Sequence, residues 1–128
     1  MMISLYTCST FLQFIMATNS VSDLRVKILS ALADSTRLEI LQYLSEGERC
    51  VCEIIPAFQR SQSAISKHLN ILHDAGILDR RFEGKRTLYS IKDPQMFEII
   101  KAVDVLALGQ ISQLAEAGKA IEVALKRS

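Results

Sequence analysis

The chain has 128 residues, 49% of them apolar, with only 5 Gly and 2 Pro and a formal net charge of +1. That length allows one compact core and argues against a second full domain. The near-neutral balance lacks the global footprint of a nucleic-acid binder, so local charge clusters must decide.

Residues Met1 to Ile15 are apolar and uncharged, but they lack the basic start of a signal peptide and are too short to span a bilayer. No membrane role is expected. Residues 1–21 read as an N-terminal extension. Met16 opens an ordinary-looking start, Met-Ala-Thr-Asn-Ser, and translation from there would leave Cys8 out of the natural protein. The other two cysteines are Cys50 and Cys52. Without a convincing export signal they point to reduced thiols in a cytoplasmic protein rather than to a disulfide framework.

Residues 22–128 read as one mainly α domain with a short β-hairpin. Leu24, Ile28, Leu29 and Leu32 give helical spacing to the first element, and Asp34, Ser35 and Thr36 supply N-cap chemistry for a second. That helix carries Leu38, Ile40, Leu41 and Leu44 until Gly47 stops it. A short third helix is expected over residues 50–57, closed by Pro56. Ser61 caps a fourth that runs to Ala75, with Gly76 just past its end. Ile77–Phe82 and Thr87–Ile91, joined by Glu83-Gly84-Lys85-Arg86, read as a hairpin with a charged tip. Asp93 and Pro94 then start a long last helix, with Phe97, Ile100, Val103, Ala107, Ile111, Leu114, Ile121 and Leu125 along one face. A stripe of that length requires a partner, and the first and last helices together suit a two-fold homodimer.

In the fourth helix Ile65, Leu69 and Leu72 occupy core spacing, which leaves Gln62, Ser63, Ser66, Lys67 and Asn70 outward. Such short polar groups and a cation suit base edges and phosphates, although a merely solvated face has the same composition. The context favours DNA: helix, turn, helix, then a hairpin in which Arg80, Arg81, Lys85 and Arg86 cluster. Neither His68 nor His73 stands in a base-and-nucleophile arrangement with a cysteine, and there is no Gly-rich phosphate loop, so an enzyme is not expected.

The run Leu32-Ala33-Asp34-Ser35-Thr36-Arg37-Leu38-Glu39-Ile40-Leu41, the segment Ser61-Gln62-Ser63-Ala64-Ile65-Ser66-Lys67-His68-Leu69 and the Gly84-Lys85-Arg86 tip together resemble the ArsR/SmtB metalloregulators over about residues 22–110. The resemblance implies a winged helix-turn-helix homodimer that binds double-stranded operator DNA, with recognition helices about one helical turn apart. It implies DNA contacts by Gln62, Ser63, Ser66 and Lys67 and by Arg81, Lys85 and Arg86 of the wing, and structural or half-exposed histidines. Cys50-Val51-Cys52 is similar to the motif of relatives that sense arsenic, antimony, cadmium or lead, so the implied inducer is As(III) or Sb(III), with Cd or Pb as alternatives, and no permanent cofactor.

Residues two apart on a regular helix point to opposite sides, so capture of one ion by both thiols is expected to distort the helix start and shift the recognition helix. Arg49 and the helix N-terminus would favour thiolate. The third thiol of some arsenic sensors would fall at Ile55, and the resemblance to cadmium- and lead-sensing relatives, which use an N-terminal cysteine of the other protomer, implies Cys8 of the partner protomer as the third ligand. The family's zinc site on the last helix is not expected, because Gln95, Leu106 and Gly109 accompany Asp93 where ligands would be needed. A thiol-oxidation switch is the alternative within regulation. A metal-trafficking protein with no DNA role is the alternative outside it.

Overall fold

Asp34 determines where the second helix begins. In the computed structural model, which describes residues 20–127, its backbone is extended and its Oδ1 accepts the Arg37 N–H at 3.0 Å. One of the unpaired amides of the first turn is thereby satisfied. The first helix, α1, covers Ser20–Leu32, and α2 covers Ser35–Leu44. The sulfur of Cys8, the apolar stretch before Ile15 and the alternative start at Met16 lie outside the described residues.

The next element is one the periodicity does not announce. Arg49–Cys50 forms a two-residue strand, β1, ahead of α3, Val51–Ala57. Pro56 lies inside α3 and has no N–H with which to extend it, and the helix ends one residue later. Helix α4, Gln62–Asp74, follows, then β2, Leu78–Glu83, and β3, Arg86–Ile91. The strands form one antiparallel sheet in the order β1-β3-β2, with Cys50 opposite Leu88 and Arg49 opposite Tyr89. The hairpin is tighter than its sequence suggests. Glu83 and Arg86 pair across it, so the loop is Gly84-Lys85 alone, and Gly84 takes the left-handed φ of +61° that such a turn demands.

The core is built by Ile40, Leu41 and Leu44 of α2, Ile54 of α3, Ile65, Leu69 and Leu72 of α4, and Ile77 and Leu78, all essentially out of solvent. In α2 the buried set begins at Thr36, while Leu38, expected inside, is exposed. On α1, Ala31 and Leu32 are buried, but Leu24, Val26 and Leu29 face solvent.

The chain divides into two compact units at Asp93 and Pro94. The second contains α5, Gln95–Arg127, a helix of 33 residues with no buried side chain. Val103, Leu106, Ile111, Leu114 and Leu125 are all more than half exposed. Among the described residues no helix is long and apolar enough to cross a membrane.

Candidate nucleic-acid interface and cysteine site

Helix α4 is closed at both ends by its own sequence. Ser61 Oγ accepts the Ala64 N–H at 3.2 Å. At the other end the Gly76 N–H bonds the His73 carbonyl at 2.9 Å and the Ile77 N–H bonds that of Leu72 at 3.0 Å, the double bond pattern of a Schellman stop. Gly76 takes φ +77°, a left-handed conformation that glycine adopts without the backbone cost a side chain brings. Between these stops the burial of Ile65, Leu69 and Leu72 sets the rotation of the helix. Gln62, Ser63, Lys67 and Asn70 are therefore exposed and Ser66 half-buried, in agreement with the spacing argument. Lys67 has no carboxylate partner among the described residues.

His68 does not join that face. Its side chain is 19% exposed, and its Nδ1 lies 3.2 Å from Nη1 of Arg37 and 3.9 Å from Asp34 Oδ1. The same guanidinium donates from Nε to the Ala31 carbonyl at 2.6 Å and from Nη2 to that of Ser30 at 3.2 Å. Arg37 thus caps the last carbonyls of α1 while reaching the recognition helix. The Arg37 amide bond, opposed by some burial and helped by the nearby Arg37 charge, holds the Asp34 carboxyl below the ordinary carboxylate range. Asp34 ahead of an apolar helix foretells the cap, but the Arg37 contact to His68 spans 31 residues and has no local signal.

The wing differs from expectation in its cations. Arg81 makes a two-pronged pair with Glu48, Nε to Oε2 at 2.8 Å and Nη2 to Oε1 at 2.6 Å, and lies 3.3 Å from Glu83. That pairing lowers the Glu48 carboxyl's pKa and raises that of Arg81. Arg86 lies 3.6 Å from Glu53, and Arg80 stacks over the exposed Phe82 ring at 5.6 Å. Of the three expected wing contacts, only Lys85, at the turn, has no carboxylate partner among the described residues.

The cysteines overturn one geometric expectation. Cys50 is not a helical residue: it ends β1 and serves as the N-cap of α3 with φ −72° and ψ 146°. Cys52 sits in the first helical turn, and its N–H points at Cys50 Sγ, 3.1 Å away. Cys50 is extended while Val51 and Cys52 are helical, and at this strand-to-helix junction the two cysteine side chains lie together. The two sulfurs meet in a Cys50–Cys52 disulfide, with the Cα atoms 5.1 Å apart, while α3 stays regular. Cys50 is 2% exposed, whereas Cys52 faces solvent. Glu53 Oε1 accepts the Cys50 N–H at 3.3 Å, which completes a capping box. The Arg49 charge, expected to act on the thiols, is paired with Glu46 at 3.3 Å and Glu53 at 3.6 Å. Among the described residues no group of three or more Cys, His, Asp or Glu side chains forms a metal cage.

A helix-turn-helix of α3 and α4, backed by a three-stranded sheet whose β2–β3 hairpin projects as a wing, defines a winged helix-turn-helix DNA-binding protein. Residues 34–80 match the family described as bacterial regulatory protein, arsR family. An HTH-type transcriptional regulator of Methanocaldococcus jannaschii is 49% identical over 81 residues, 62% of this chain and 91% of that protein. The arsenical resistance operon repressor of Staphylococcus aureus is 37% identical over 79 residues, 62% of this chain and 76% of the repressor. Among solved structures, a homodimeric winged helix-turn-helix DNA-binding domain from Mycobacterium bovis superposes with a TM-score of 0.63 at 31% identity, over 70% of this chain and 82% of that one. The chain belongs to the ArsR family of bacterial regulatory proteins. It is a transcription regulator and not an enzyme.

Proposed function

We propose that this regulator is a homodimeric repressor that leaves its operator when a thiophilic ion, arsenite or antimonite ahead of cadmium or lead, is captured by Cys50 and Cys52. The observation that carries the reading is the convergence of both sulfurs at the cap of α3, the first helix of the DNA-reading motif. Reduced, Cys50 and Cys52 would offer two soft thiolates on adjoining backbone, and such donors select soft ions over calcium or magnesium. The S. aureus relative is named for arsenical resistance, which favours arsenic as the inducer. Cys8 of a partner protomer is the candidate third thiolate.

Gln62, Ser63, Ser66 and Lys67 are the proposed contacts of α4 with base edges and phosphates, and Lys85 that of the wing. The dimer reading rests on the uncovered apolar residues of α1 and α5, since a contiguous apolar stripe left in water is a cost that a partner's stripe would remove, and on the homodimeric state of the M. bovis domain.

The test is titration of a duplex selected by the protein from a random-sequence pool, with arsenite, antimonite, cadmium, lead or zinc. Release by arsenite that is lost in Cys50→Ser and in Cys52→Ser is the expected result. Release that survives both changes removes the sensor.

The joined sulfurs favour one second reading, a thiol-oxidation switch in which an oxidant takes two electrons from Cys50 and Cys52 and two protons leave. Release driven by peroxide, reversed by dithiothreitol and indifferent to metal chelators distinguishes it.

A further inference from the structure

Two carboxylates bracket the cysteine pair, and each holds an arginine of the wing. Glu48, two residues before Cys50, grips Arg81 of β2 through two hydrogen bonds of 2.8 and 2.6 Å. Glu53, next to Cys52, lies 3.6 Å from Arg86 of β3 and also accepts the Cys50 amide. Between them, β1 pairs with β3 through Arg49 and Cys50. The segment that carries the sulfurs is therefore fastened to both strands of the hairpin.

Exposed ion pairs add little to stability, but a two-pronged guanidinium–carboxylate contact fixes direction as well as distance. A guanidinium already neutralised by a carboxylate also has little charge to offer a phosphate, and phosphate contacts dominate affinity for duplex DNA. The geometry points to Arg81 and Arg86 as positioning residues that hold the wing against the cysteine-bearing segment, leaving Lys85 to supply the wing's phosphate contact. The wing then moves with that segment. Any change at Cys50 reaches the DNA-facing surface through the sheet as well as through α3. This inference rests on the DNA-binding reading above and deepens it.

Salt dependence separates a phosphate contact from a positioning residue, because each lost phosphate contact flattens the slope of log affinity against log salt by about one. The purified full chain is titrated against its selected duplex over a salt series, as wild type, Lys85→Ala, Arg81→Ala, Arg86→Ala, Glu48→Gln and the double variant Glu48→Gln/Arg81→Ala. Lys85→Ala is expected to flatten the slope by about one. Arg81→Ala, Arg86→Ala and Glu48→Gln are expected to keep the wild-type slope and weaken binding by up to about fivefold, with the double variant no weaker than either single change. The inference is overturned if Arg81→Ala or Arg86→Ala flattens the slope as Lys85→Ala does, or if Glu48→Gln tightens binding by freeing a cation. Should the wild type hold no duplex, the DNA reading fails separately, and amide hydrogen exchange in the free protein still tests the clamp. Faster exchange in β1 and β3, equal in Glu48→Gln and Arg81→Ala and not additive, supports it; unchanged exchange overturns it.

Discussion

The Arg37 guanidinium meets the His68 imidazole at 3.2 Å while its other nitrogens bond the Ala31 and Ser30 carbonyls at 2.6 and 3.2 Å. One side chain on α2 therefore ties the end of α1 to the recognition helix. Its own exposure is 13%, so its removal leaves the buried Ala31 carbonyl and the His68 imidazole short of a partner, while the exposed Ser30 carbonyl can turn to water. Arg37→Ala is expected to cost about 2 kcal/mol of stability, and Arg37→Lys to recover little of it, because a single ammonium cannot reproduce the fork. Urea denaturation of the three proteins checks this; full recovery by lysine would mean that charge alone matters.

Asp34 provides a pH signature. Its carboxyl is held below the ordinary range chiefly by the Arg37 amide bond, so the ionised form is the one the fold favours. The stability it adds is present at neutral pH and is lost as pH falls from the ordinary carboxylate range through its depressed folded value. Asp34→Ala should cost about 1 kcal/mol at pH 7, with the gap to wild type closing in acid. Asp34→Asn keeps a capping oxygen and should cost less at neutral pH. Melting curves across pH decide the matter, and a gap independent of pH would assign the effect to something other than ionisation.

Gly76 closes α4 with φ +77°, and an added Cβ there would meet no heavy atom within 4 Å. The cost of Gly76→Ala is therefore conformational and not steric crowding by neighbours, about 1 kcal/mol. Gly76→Asn should recover part of it, since asparagine tolerates the left-handed region better than alanine. Thermal unfolding of the two variants tests the order.

The cysteines differ in access: Cys50 is 2% exposed and Cys52 faces solvent. After reduction, iodoacetamide should modify Cys52 well before Cys50, as read by mass spectrometry of the peptide that contains both. Cys50→Ser should leave the fold stable, because serine is itself a good N-cap. Equal labelling rates would show that the start of α3 opens as readily as it closes.

Local sequence rules determined much of this protein. The caps at Asp34 and Ser61, the stop at Gly76, the hairpin around Gly84 and the inward set Ile65, Leu69 and Leu72 each depend on neighbours within about one or two turns, and such rules act before any tertiary contact forms. The polar outer face of α4 followed from that inward set. Only the folded chain decided that Cys50 belongs to a strand, because β1 exists by pairing with β3 some 38 residues on, and that pairing turned both sulfurs to one side without bending a helix. Glu48 with Arg81, Glu53 with Arg86 and Arg37 with His68 were likewise invisible beforehand. Partners 31 to 33 residues apart are brought together by packing, and a charged residue's letter does not reveal whether its charge will face DNA or a carboxylate.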